Sequence, residues 1–286
     1  MKLLLSIAIA LLWTLPVLAD GGTETKGFTG LYMGHSFFKP SVEELEKIIP
    51  DSDAVDHRQF TVFAGGENGS PSKLWQNRKK RLEAQKHLDT KQIDLLVMTY
   101  FSPNDSSVEH YSRWFDYALS QNPETTFMVT IPWGMQLYKA NETEINTLKK
   151  LSVGFNGTVI QKLREKYPRN RILFCPYGLG TYELVERFRA GELPGVKHIL
   201  NANRWERKQQ RSRHEQLLHD ELGHPSELVA KLGALLWLQT LYDYDLAKFK
   251  PQKVRGLPDI DLNEIASSVA KKIQPFNAVY ENEKVN

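Results

Sequence analysis

From residue 27 to about residue 250, apolar runs of strand length alternate with segments whose apolar residues recur at helical spacing. No other feature of the sequence restricts the fold as much. A strand, a helix and a second strand close into a parallel unit, and each helix must bury its apolar stripe on the sheet, so helices cover both faces. The candidate strands are GLYMGHSF (30–37), QFTVFA (59–64), IDLLVMTYF (93–101), TTFMVTIPW (125–133), RILFCPYG (171–178) and VKHILNA (196–202). Helical patterns fall between them at 41–49, 71–88, 107–122, 142–167 and 181–191, and a last long helix is expected over 225–245. The expectation is a three-layer α/β/α protein with a mainly parallel sheet of five to six strands.

Some of these helices carry end signals. Ser41 and Glu44 have the spacing of a capping box, and Gly191 follows VERFRA where a C-terminal cap is expected. The segment 225–245 is rich in Leu, Val and Trp, which predicts a heavily buried helix. No repeat, low-complexity tract or Pro/Gly/Ser-rich linker interrupts the chain, so residues 20–286 are expected to form one domain.

Residues 1–19, MKLLLSIAIALLWTLPVLA, place Lys2 before an apolar stretch that ends in Val17-Leu18-Ala19, the pattern of a cleaved signal peptide. Export to the periplasm or the extracellular space is therefore expected, with no membrane span after cleavage. Without Lys2 the balance is 36 basic against 34 acidic residues, a charge of +2 that offers nucleic acid no electrostatic footprint. Cys175 is the only cysteine, so no internal disulfide can form and stability must come from the core.

In an open α/β sheet a ligand binds outside the carboxyl ends of the strands. The residues there include Gly34-His35-Ser36, GGENGSP (65–71), SPND (102–105), PWGMQLY (132–138) and PYGLG (176–180), followed downstream by HDELGHPSE (219–227). Together they supply a serine, carboxylates and a histidine. A serine hydroxyl becomes a competent nucleophile when an imidazole takes its proton, and a carboxylate fixes the tautomer of that imidazole and stabilises its cation. Backbone N–H groups and a carboxamide can stabilise the oxyanion of the tetrahedral intermediate.

In their order along the chain, GHS after the first strand, a loop glycine after the second, PND after the third and DELGHPS before the last long helix resemble the four blocks of the SGNH/GDSL hydrolases. The resemblance spans residues 27 to about 245. It implies a flavodoxin-like sheet, Ser36 as nucleophile and oxyanion donor through its own N–H, Gly69 or Gly66 as second donor, Asn104 as third, and His224 as base. It also implies that no cofactor is needed and that the substrate is a small-molecule or polysaccharide ester, often an O-acetyl group on a carbohydrate.

The chain departs from the family pattern at three points. His35 and Ser102 replace the usual Asp and Gly, and the acid three residues before the histidine is Glu221, with Asp220 one residue earlier. Asp220 is the expected triad acid, because Gly223 permits the turn that absorbs the shift, and Glu221 is its substitute. Trp133 and Arg207 are candidate substrate contacts, by stacking on a sugar and by pairing with an anionic group. His214, His219 and His224 recur every five residues, which puts them on no common helical face, and no metal is expected. A binding protein of the same fold that has lost turnover is the contending expectation. A nucleotide-binding role lacks its Gly-rich phosphate loop.

Overall fold

The computed structural model describes residues 25–52, 54–201, 203 and 214–280. Strands β1 (Thr29–Gly34), β2 (Arg58–Phe63), β3 (Leu95–Thr99), β4 (Thr126–Thr130) and β5 (Ile172–Cys175) form one parallel sheet in the order β2-β1-β3-β4-β5. That is the flavodoxin-like order, whose switch point lies between the first and third strands. A short parallel pair, Thr25–Lys26 with Ala54–Val55, lies apart from it.

Strand side chains point alternately to opposite faces, and in β3 Leu95 and Val97 enter one core while Leu96 and Met98 enter the other. In β5, Leu173 and Cys175 oppose Ile172 and Phe174 in the same way. Both faces of the sheet are apolar, so these strands read as continuous hydrophobic runs, as buried parallel strands do.

Helices α1 (Lys39–Ile48), α7 (Gly178–Arg189), α8 (Glu227–Tyr242) and α9 (Leu262–Ile273) cover the first face. The second is covered by α2 (Pro71–Gln76), α3 (Arg78–Leu88), α4 (Val108–Gln121) and α6 (Gln161–Lys166). Helix α5 (Glu142–Phe155) and the π-helical turn Asn156–Ile160 bridge the layers: Ile145 packs in the first core, Phe155 and Ile160 in the second. The buried helix expected over 225–245 is α8, in which Trp237 and nine other apolar residues are shielded from solvent.

The structure departs from the sequence reading in five places. The helix expected over 71–88 breaks at Asn77, whose extended backbone and side chain cap α3 through Lys80 N (3.1 Å). The helix expected over 142–167 is interrupted by the π-turn. The expected Ser41–Glu44 capping box does not form: α1 begins at Lys39 without a side-chain cap, and Ser41 lies buried within it. Pro40 in the first turn starts the helix two residues earlier than the polar signal suggested. Helix α9, capped by Asp261 through Glu264 N (2.9 Å), was not anticipated.

The expected sixth strand also fails to join the sheet; residues 196–201 pair only locally with 215–218. The outer edge of β5 is already occupied. Asn277 bonds both Phe174 N (2.9 Å) and Phe174 O (3.0 Å), and the Tyr280 hydroxyl accepts from Ile172 N (2.9 Å). These C-terminal side chains satisfy the edge that another strand would otherwise pair with. Gly191, with φ +75°, ends α7 where expected.

Candidate active site

Strand β1 ends at Gly34, where a Cβ would lie 2.7 Å from the Phe38 ring and 2.8 Å from the Thr99 methyl. The missing side chain lets the strand end press against β3 and against the turn that follows. His35 O accepts from both Phe38 N and Lys39 N at 3.0 Å, so the chain reverses into α1 and leaves Ser36 half-buried on the elbow.

His35 turns inward and is buried. Its Nδ1 accepts from Phe37 N (3.3 Å), which leaves Nε2–H to donate to Tyr100 O (3.0 Å) just beyond β3. Burial pushes its pKa down to about 4; the bond to Tyr100 O acts the other way, and His224 nearby adds to the lowering. The folded protein therefore binds this proton less readily than the unfolded chain, whose histidine titrates near 6.5. The stability His35 contributes is present above pH ~6.5 and is lost as the pH falls toward ~4, about 3 kcal/mol in full. Urea unfolding across that range should show the loss, and His35→Gln should flatten the slope; an unchanged slope in the variant would exclude a buried neutral His35.

The second half of the site is the turn before α8. The Asp220 Oδ1 oxygen accepts from Leu222 N (3.1 Å), Gly223 N (3.1 Å) and His224 N (3.2 Å), and Gly223 takes φ +98°, a conformation that favours glycine. This loop wraps the carboxylate so that Oδ2 meets His224 Nδ1 at 2.6 Å. It is Asp220, four residues before the histidine, that faces the ring. Burial acts to raise the Asp220 pKa, but the bonds from the His224 ring and backbone outweigh it and hold the carboxyl below its ordinary value. An ionised carboxylate can only accept, so His224 Nδ1 carries the proton and Nε2 offers a lone pair. That nitrogen lies 2.8 Å from Ser36 Oγ.

Trp133, following β4, secures this arrangement. Its Nε1–H donates to Gly223 O (2.9 Å), and its ring stacks on Phe37 (5.2 Å, 11°), which meets the His224 ring edge-on. At 3% exposure Trp133 has little ring face to offer a sugar, so the expected stacking role gives way to a positioning one.

The expected oxyanion donors Gly69 and Asn104 lie in the loops that follow β2 and β3. Gly69 is buried against the backbone of Gly34 and His35 and does not line the cleft, whereas Gly65 and Gly66 do. Asn104 is exposed on a turn; from its loop Pro103, Ser106 and Ser107 face the cleft instead. The loop is drawn in by Ser106 Oγ, which accepts from Phe101 N (3.0 Å), and by Ser102 Oγ, which donates to Asp105 (2.9 Å). Arg207, like the leader at 1–19, lies outside the described residues. No cluster of three or more metal-ligating side chains occurs among the described residues.

Ser36 and His224 open onto a cleft of about 1280 Å³, with Phe101, Met135, Leu148, Leu151, Phe155 and Val159 among its walls. The contribution of α5 and the π-turn was missed in the sequence, although Leu148, Leu151, Phe155 and Val159 recur at helical spacing. Such a stripe reads equally well as core.

No family model and no curated protein matches the chain. Among solved structures it is similar to a DUF4886 family protein from Bacteroides uniformis, with a TM-score of 0.53 and 16% identity over 91% of this chain and 98% of that one. It is also similar to the periplasmic domain of a lipopolysaccharide acetyltransferase from Salmonella ser. Paratyphi A, with a TM-score of 0.47 and 10% identity over 78% and 87% of the two chains. The first likeness shows the three-layer fold, and the second is too distant to carry an inference. Among the described residues no helix is long and apolar enough to cross a membrane.

Proposed function

We propose that the protein is an exported serine ester hydrolase of the SGNH/GDSL type. The observation that carries this reading is the chain of contacts from Ser36 Oγ to His224 Nε2 (2.8 Å) and from His224 Nδ1 to Asp220 (2.6 Å), placed at the carboxyl end of β1 beside an open cleft.

His224 Nε2 takes the Ser36 proton as Oγ attacks the ester carbonyl carbon, and the carbonyl electron pair moves to oxygen. Donors for that oxyanion are the Ser36 N–H and the Gly65–Gly66 backbone at the cleft wall, each worth roughly 3–4 kcal/mol in a transition state. As the intermediate collapses, the ester C–O bond breaks and the departing alkoxide receives the proton held by His224. Water then gives a proton to His224 and attacks the acyl-Ser36 carbon, and return of that proton to Ser36 Oγ releases the acid. Asp220 keeps Nδ1 protonated and stabilises the imidazolium in both halves.

The resemblance to SGNH/GDSL enzymes implies acetyl groups on a carbohydrate. A binding protein without turnover is the contending reading, and the exposed Asn104 favours it.

An activated fluorophosphonate tests the reading, since it labels a serine that a neighbouring base deprotonates. Wild type should gain the mass of one phosphonyl group, Ser36→Ala none, and His224→Ala should label far more slowly. Equal labelling of wild type and Ser36→Ala would overturn the assignment.

A further inference from the structure

The cleft at Ser36 exceeds the roughly 300–1,000 Å³ that accommodates a drug-sized ligand, so an acetyl group would leave almost all of its about 1280 Å³ unfilled. Its shape follows from the fold. The sheet's carboxyl rim forms the floor, with Phe101 and Trp133 after β3 and β4, and α5 with its π-turn supplies a wall carrying Leu148, Leu151, Phe155 and Val159. A π-turn inside a helix is rare and frequently marks a functional site.

Five hydroxyl groups along this cleft already have partners within the protein. Ser106 Oγ accepts from Phe101 N, Ser152 Oγ donates to Leu148 O, Thr158 Oγ1 donates to Gly154 O, and the Tyr182 hydroxyl accepts from Gly134 N. Ser107 Oγ caps α4 through His110 N. A sugar would exchange its water hydrogen bonds for apolar carbon here, which is unfavourable for each hydroxyl left unmatched.

At the mouth, Met135, Leu151 and Leu222 are 64%, 66% and 59% exposed, three large apolar side chains presented to water around one opening. Leu222 belongs to the His224 turn, so apolar side chains line the cleft beside the reacting groups as well as at its outer wall. Large apolar side chains exposed around one opening are a feature of interaction sites, ligand-binding grooves among them.

We propose that the acyl group transferred to Ser36 is a long aliphatic chain that lies from the Ser36–His224 pair along the groove between the sheet rim and α5. The proposal rests on Ser36 as the nucleophile. Carbonyl chemistry takes place at the elbow after β1, and the hydrocarbon extends away from it over Phe101 toward Phe155 and Val159. Lys150, Lys162 and Glu109, all exposed, border this groove and remain hydrated.

The test is a series of p-nitrophenyl esters from acetate through butyrate and octanoate to dodecanoate. Each methylene buried in the groove contributes ~0.8 kcal/mol, or about fourfold in kcat/KM, so octanoate should exceed acetate by at least 100-fold. In Leu151→Glu and Met135→Glu the ratio of octanoate to acetate kcat/KM should fall at least tenfold. The Ser36→Ala protein, titrated with dodecanoic acid and followed by tryptophan fluorescence, should bind it saturably, and Leu151→Glu in that background should weaken the binding.

A wild type that hydrolyses acetate as well as octanoate overturns the long-chain assignment and leaves the esterase reading intact. A preference that follows the alcohol chain in alkyl acetates overturns it too. Hydrolysis by Ser36→Ala equal to wild type would instead defeat the nucleophile assignment, and saturable dodecanoate binding would still judge the groove.

Discussion

In Asp220→Asn, hydrolysis of a p-nitrophenyl ester is expected to fall about 10⁴-fold in kcat, while Glu221→Gln stays within a few-fold of wild type. An amide at position 220 can present an NH₂ group to His224 Nδ1, so the ring is no longer held with its proton on that nitrogen. The lone pair then points away from Ser36, and the imidazolium formed on attack lacks a counter-charge. Glu221 lies on the same turn, but it is the Asp220 carboxylate that faces the His224 ring. Ser36→Ala and His224→Ala should each lose on the order of 10⁶ in kcat, and the double variant hardly more, because the residues act as a unit. Kinetics over the four single variants and the double variant check this; a larger loss from Glu221→Gln than from Asp220→Asn would reverse the acid assignment. The order of losses follows from the roles: the acid orients, whereas the serine and histidine exchange the proton itself.

Gly69→Ala is the substitution outside the triad with the largest expected effect, a loss of about 3 kcal/mol in stability. A Cβ there would meet the Gly34 carbonyl carbon at 2.6 Å and His35 Cα at 2.7 Å, and it would also strike the Gly34 oxygen. All three atoms are backbone, so no side chain can swing aside. The loop 65–70 would have to lift from the end of β1, breaking the register in which Ala64 N donates to Gly34 O (3.1 Å) and displacing the residues immediately before Ser36. Turnover should therefore fall along with stability. Gly66→Ala offers the contrast: φ is +52° and nothing lies within 4 Å, so only the left-handed backbone is penalised, by about 1 kcal/mol. Urea midpoints at constant m would measure both, and a Gly69→Ala protein as stable as Gly66→Ala would refute the close packing described here.

Gly69 also illustrates why part of the site could not be read from the chain. A loop glycine after the second strand is compatible with an oxyanion donor and with close backbone packing, and the residues within GGENGS do not distinguish the two. The distinction depends on how far the loop descends on β1, which is a tertiary distance. Asn104 is a similar case, because it sits exposed on a loop whose shape is held by bonds of its neighbours Ser102 and Ser106. Trp133 could be placed at a strand end from the alternation alone; its bond to Gly223 O joins residues 90 positions apart.

The layering of helices on a parallel sheet was legible in the one-dimensional pattern, because continuous apolar runs mark strands buried on both faces and a period of about 3.6 residues marks helices buried on one. The serine at the first strand's end and the acid and histidine before the last long helix were legible for a related reason: strand ends in such a sheet converge on one rim wherever the strands fall in sequence. The number of strands was settled by folding, since Asn277 and Tyr280 return from the C-terminal region to occupy the β5 edge. The choice of Asp220 over Glu221 as the partner of His224 depended on the Gly223 turn closing around a carboxylate. The breadth and apolar character of the cleft came from α5 and a π-turn lying across the rim, and local spacing cannot tell whether an apolar stripe faces another layer or an opening.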